Sequence, residues 1–165
     1  GKFHHFVFKK TRLLSNPMKS DTFKTMSDWH ATLALQEFEK IDDQIEHRQK
    51  ISNIYKDTIK PSNQFKGVSN IIKFSTCLRF PIKVVDRDGF ITYAKSHGLY
   101  ISDIWYDAPV APKRFLDKSG YIKGECPEAE KISEVMVNLP THIHVSEADA
   151  HVISKLVNTW ELQHK

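Results

Sequence analysis

From Ser27 to Ile59 the chain contains neither glycine nor proline. Across that run Ala31, Leu33, Leu35, Phe38, Ile41, Ile45, Ile51, Ile54, Tyr55 and Ile59 recur with steps near three and four. Such spacing puts apolar side chains on a shared face of a helix, so it predicts one long helix over residues 27–60 with a polar break at Glu46-His47-Arg48-Gln49-Lys50. Ser27 or Asp28 can cap its start, and Pro61 stops it. At a rise of 1.5 Å per residue the helix would be roughly 50 Å long. A compact domain of this chain length spans about 40 Å, so the helix is expected to outrun its own domain. Its front half, from Trp29 to Phe38, is apolar on more than one side. The expected consequence is packing against other protein, either an upstream domain or a second subunit.

The rest of the chain reads in shorter elements. Residues 2–9, with Phe3, Phe6, Val7 and Phe8, suggest a strand close to the first residue. Leu78 to Val85 reads as a second strand, with Pro81 favouring an edge position. Asp86 is placed to cap a helix with Phe90, Ile91 and Ala94 inward, Gly98 to end it, and Leu99 to Trp105 to form the next strand. Residues 106–125 hold Pro109, Pro112, Gly120 and Gly124 without sustained periodicity, which is the pattern of a long loop covering a cleft. Pro127 suits the first position of a helix running through Ile132, Val135 and Met136. Val137 to Pro140 then leads to an extended piece at 141–145, and Ser146 caps a last helix that buries Ile153, Leu156, Val157 and Trp160. The expected fold is α+β, a short sheet with helices on one side, divided into residues 1–26, the long helix 27–60 and a small domain 61–165.

Composition narrows the class. With 40% hydrophobic and 27% charged residues among 165, the chain has the balance of a globular domain, and no run approaches a membrane span. No secretory signal opens it, so the expected setting is cytoplasmic and no membrane partner is expected. Cys77 and Cys126 do not make a disulfide framework, and both are expected to be reduced and structural. The net charge of +4 owes much to Lys2, Lys9, Lys10, Arg12, Lys19 and Lys24, but no aromatic-basic interleaving accompanies them, so nucleic acid is not the expected partner. His142 and His144 alternate along the chain with only Glu147 as a near acid; zinc wants three or four ligands, so no metal is expected. Glu128 and Glu130 are explained by favourable charge in the first turn of a helix. Trp105 and Tyr106 open the long loop and are the candidate substrate-pocket residues, as aromatic faces for a sugar or nucleotide; the plainer and preferred reading is that Trp105 finishes the core of its strand and Tyr106 caps it.

Several motifs occur in a telling order: Met26-Ser27-Asp28-Trp29-His30-Ala31 with Arg48 and Tyr55 later on the helix, Leu78 to Val85, His97-Gly98-Leu99-Tyr100-Ile101, Cys126-Pro127-Glu128-Ala129-Glu130, and Val137-Asn138-Leu139-Pro140-Thr141-His142. Over about residues 23–160 this order resembles the C-terminal part of the DegT/DnrJ/EryC1/StrS aminotransferases, which use pyridoxal phosphate to aminate nucleotide-linked keto-sugars. The resemblance implies the long helix and small domain of a fold-type I transferase, normally a homodimer. It implies pyridoxal phosphate as the cofactor of the full-length protein, with none expected for this chain alone. It also implies an N-terminal large domain as partner, carrying the Schiff-base lysine, the acidic partner of the pyridine nitrogen and the phosphate cradle. Lys9 and Lys10 lack the glycine-rich segment that follows the family's cofactor lysine. Phe23 and Thr25 stand where the family commonly has an asparagine and an arginine, and Ala111 follows Pro109-Val110 where it often has a histidine. Catalytic and cofactor-binding residues are therefore unassigned within this chain, which is expected to be inactive alone. The alternative expectation is a non-catalytic dimerisation module derived from the same fold.

Overall fold

The computed structural model describes residues 25–101 and 106–164. The expected strand at 2–9, Lys9, Lys10, Phe23 and the candidate pocket residue Trp105 lie outside the described residues. The chain divides into two units, Gly1–Glu39 and Lys40–Lys165.

In the first unit helix α1 spans Asp28–Phe38. Ser27 caps it by accepting a hydrogen bond from the His30 amide, as its place in the sequence suggests. No residue of α1 is buried; Trp29, Leu33, Leu35 and Phe38 are 42% to 66% exposed.

The second unit opens with α2, Ile41–Thr58. The single helix expected over 27–60 is thus two helices, separated at Glu39-Lys40. The expected polar break at 46–50 lies inside α2 instead. Asp42 and Asp43 in the first turn of α2 favour a helix start there, because carboxylates complement the unpaired amides at a helix N-terminus. After short turns of 3-10 and α-helix through Phe74, strand β1 (Arg79–Lys83) pairs antiparallel with β2 (Met136–Pro140), Phe80 opposite Leu139 and Ile82 opposite Val137. Those four side chains are buried and share one face of the ladder. Pro81 sits within β1 opposite Asn138. A two-stranded sheet gives every strand an edge, which is where a residue without an N–H is accommodated.

Helix α3 (Val68–Ile71) precedes β1; between the strands lie α4 (Arg87–Ser96) and α5 (Pro127–Val135), and α6 (Glu147–Gln163) ends the unit. Asp86 caps α4 through the Gly89 amide. Gly98, at φ +82°, closes α4: its amide donates to Lys95 O and that of Leu99 to Ala94 O, so two orphan carbonyls are satisfied by one left-handed residue. Ser146 and Asp149 cap α6 reciprocally, each side chain bonded to the other's backbone amide.

The core joins Ile51 and Tyr55 of α2, the inner face of the sheet, Phe90 and Ala94 of α4, and Ile153, Val157 and Trp160 of α6. Leu156, expected with them, is only half-buried. Polar ties cross this core: the Tyr55 hydroxyl donates to Pro140 O at 2.9 Å, Thr141 Oγ1 to Cys77 O at 2.7 Å, and Trp160 Nε1 to Val85 O at 2.8 Å. Each gives a backbone carbonyl a side-chain donor from a different part of the unit.

Four other expectations differ from the structure. Leu99 to Ile101 forms no strand; the partner of β1 is Met136–Pro140, so Met136 opens a strand instead of continuing the helix before it. Residues 141–145 are a turn in which the Val145 amide donates to His142 O, instead of an extended piece. Cys77 is buried, as a structural thiol should be, but Cys126 is exposed.

Candidate functional site

The long loop is held by its own polar contacts. Tyr106 takes a left-handed backbone, φ +67°, and is 55% exposed. Asp107 Oδ1 accepts from the Lys113 amide at 2.9 Å, which closes the segment containing Pro109 and Pro112 and leads into a 3-10 turn at Lys113–Lys118. At the other end of the loop, Glu130 of α5 reaches back. Its Oε1 accepts from the Tyr121 hydroxyl and from the Gly124 amide, both at 2.6 Å, while the Cys126 amide donates to the Tyr121 oxygen at 3.0 Å. Gly124 itself is at φ +96°, a conformation that glycine adopts without strain. Glu130 therefore does more than favour a helix start: it pins the loop to α5. Glu128 faces elsewhere and pairs with Lys131 at 2.9 Å.

Between α4, this loop and α5 lies an open cavity of about 1090 Å³. Asp107, Tyr121 and Glu130 line it, as do Arg87 from α4 and Lys113 and Lys123 from the loop. The carboxylates of Asp86, Asp88, Asp117 and Glu134 also face it, so acids outnumber bases along the wall. Arg87 is buried and fixed, with Nε donating to Met136 O and an ion pair to Asp88 at 3.0 Å. The Gly124 amide and the Tyr121 hydroxyl hold the Glu130 carboxyl below its ordinary value, so it is ionised near neutrality. Desolvation, followed by the bond to Glu130, pushes the Tyr121 hydroxyl up, so it stays protonated and donating. Such a wall can orient hydroxyl or amine donors through fixed acceptors; Tyr106 itself is not part of the lining, which starts at Asp107. The sequence signalled the loop by its prolines and glycines, but not the contact of Tyr121 with Glu130, which depends on how the loop folds back.

His142 and His144 are exposed on the turn after β2. Among the described residues no group of three or more histidine, cysteine, aspartate or glutamate side chains is gathered for a metal ion.

The chain shares its fold with parts of two solved structures. A DegT DnrJ EryC1 StrS aminotransferase from Brucella abortus superposes with a TM-score of 0.61 at 20% identity, covering 88% of this chain and 40% of that one. S. venezuelae DesV, solved in complex with a ketimine intermediate, gives 0.64 at 14% identity, covering 94% and 44%. The chain thus spans about two-fifths of the length of either structure. No curated protein matches it. The model of the DegT/DnrJ/EryC1/StrS aminotransferase family matches residues 12–157, and the chain belongs to that family.

Membership implies pyridoxal phosphate, and the described residues do not by themselves fit it. A Schiff-base lysine is ordinarily held in a desolvated or charge-perturbed setting that frees its amine. No described lysine is buried, and Lys113 and Lys123 at the cavity are exposed. Among the described residues no helix is long and apolar enough to cross a membrane.

Proposed function

We propose that this chain is the C-terminal segment of a cytoplasmic, pyridoxal-phosphate-dependent aminotransferase that converts nucleotide-linked keto-sugars to amino-sugars. In this reading residues 1–26 belong to the end of a large domain that carries the cofactor lysine, residues 27–60 connect, and residues 61–165 are the small domain. The full-length protein works as a homodimer. The observation that carries the proposal is the match of the family model over residues 12–157 in a chain whose described lysines are all outside the core. Trp105 and Tyr106, the two residues that precede Asp107 in the sequence, are assigned to the substrate side, as stacking surfaces for a sugar or base. A protein in which this segment follows its large domain should bind pyridoxal phosphate and transfer an amino group to a nucleotide-linked keto-sugar. Failure of that protein to bind the cofactor at all would defeat the enzymatic reading.

The exposed apolar side chains of α1 favour a second reading, a non-catalytic dimerisation module. Sedimentation separates the two. A stable, folded dimer of this chain alone supports the module, and an aggregating monomer supports the segment of an enzyme.

A further inference from the structure

A second set of ionisable side chains gathers around the turn after β2. The rings of His142 and His144 are 5.8 Å apart between centroids, and the His144 amide donates to His142 Nδ1 at 3.3 Å. Arg79 is paired with Pro140 in the ladder, two residues before His142, and its side chain is exposed. On α2, His47 Nε2 lies 3.1 Å from Val145 O, which ties this helix to the same turn, and the neighbouring Arg48 has a Nε shielded from solvent with no hydrogen-bond partner. Neither Arg48 nor Arg79 has a carboxylate partner among the described residues.

The acids of the neighbourhood are otherwise engaged. Glu147 pairs with Lys50 at 2.7 Å, and Asp149 Oδ2 accepts from both the amide and the hydroxyl of Ser146. Desolvation together with His144, Arg79, Arg48 and His47 holds the His142 imidazole below its ordinary value; every charged group that acts on it is a base. Beside the turn is a concavity of about 320 Å³, into which His142, His144, Asp149, Tyr100, Leu99 and Leu156 face.

We propose that Arg48, Arg79, His142 and His144 form a binding site for a phosphoryl group, and that the adjoining concavity receives whatever organic part the phosphoryl is attached to. Guanidinium groups match a tetrahedral oxyanion with paired donors, and two arginines without acids leave positive charge that a dianion neutralises. The imidazoles add donors, and that of His142 adds charge as pH falls. Asp149 opposes this from the concavity, but its carboxylate is already turned to Ser146. The site uses none of the side chains that line the larger cavity, and it stands whether or not the aminotransferase reading holds.

The test is a titration of the chain with sulfate, inorganic phosphate and ribose 5-phosphate, followed by the NMR signals of the histidine rings. Sulfate keeps its charge across the neutral range, so any pH dependence of its binding comes from the protein. The expected result is saturable movement at His142 and His144 with His30 and His97 unmoved, and sulfate binding that tightens as pH falls through the His142 value, which lies below the ordinary 6.5. Arg79→Met should weaken binding about tenfold, the loss of one charge-assisted contact. His142→Asn should flatten the pH dependence, and it serves if the arginine variant does not fold. Tighter binding of ribose 5-phosphate than of phosphate assigns the site to phosphate esters; equal binding assigns it to the free ion. Non-saturating movement spread over all histidines, or unchanged affinity in both variants, overturns the proposal.

Discussion

Replacing Tyr55 by phenylalanine isolates one tie between α2 and the sheet. Tyr55 is fully buried, its ring packs against Phe80 at 5.5 Å between centroids, and its hydroxyl donates to Pro140 O at 2.9 Å. Burial pushes that hydroxyl well above the ordinary tyrosine value, with Asp149 adding to the shift, so it is a donor at any physiological pH. Phenylalanine keeps the ring and its packing, so the cost is the hydrogen bond and the partial desolvation of the carbonyl at the end of β2. One such bond is worth about 1–2 kcal/mol when its partner stays buried. With a urea dependence of about 2 kcal/mol per molar, the midpoint of unfolding should fall by roughly 0.5–1 M. Leu139→Ala, in the same fully buried face, should fall further, by about 2–5 kcal/mol, because it leaves a cavity. Equilibrium urea unfolding by circular dichroism reads both. An unchanged midpoint for Tyr55→Phe would refute the claim that this hydroxyl fastens α2 to β2.

Other consequences follow from the loop, the thiols and the turn. The tie between Tyr121 and Glu130 needs an ionised acid and a protonated phenol. Because the Glu130 pKa is lowered from 4.5, its contribution is present above about pH 4.5 and fades as pH falls through its lower folded value; because that of Tyr121 is raised from 10.0, its contribution is full below pH 10.0 and fades as pH rises through its higher folded value. Limited proteolysis at 118–124 should therefore speed up on acidification below that range while cleavage in β1 does not; equal acceleration in both would contradict the assignment. Iodoacetamide should modify exposed Cys126 in the folded chain and Cys77 only on unfolding, and mass spectrometry showing equal labelling would refute the burial of Cys77. Gly98→Ala should cost about 1 kcal/mol in thermal unfolding from backbone conformation alone, since a Cβ there meets nothing within 4 Å; a cost several times larger would mean that the site is crowded.

The local signals that the sequence carries are those that a few residues decide among themselves. Asp86, Gly98, Pro127 and Ser146 each mark a helix end because a side chain or a left-handed residue satisfies amides or carbonyls within one turn, and each stands where it was expected. What could not be read depends on distant partners. The ladder joins Arg79–Lys83 to Met136–Pro140 across more than fifty intervening residues, a pairing that no local pattern marks, whereas the strand-like composition of Leu99 to Ile101 forms no strand. The division of the long helix at Glu39-Lys40 involves no glycine or proline, and only the acids that follow it hint at a second start. Likewise the loop was legible as a loop, while the closing of Tyr121 and Gly124 onto Glu130, and the gathering of bases about His142, are products of the fold.

The proposal that this chain supplies no lysine of its own to the cofactor is tested most directly by incubating it with pyridoxal phosphate, reducing with borohydride and mapping the product by mass spectrometry. The account predicts partial, scattered labelling of exposed lysines, none above the level reached by the urea-unfolded chain. Stoichiometric labelling of a single lysine that disappears on unfolding would contradict it.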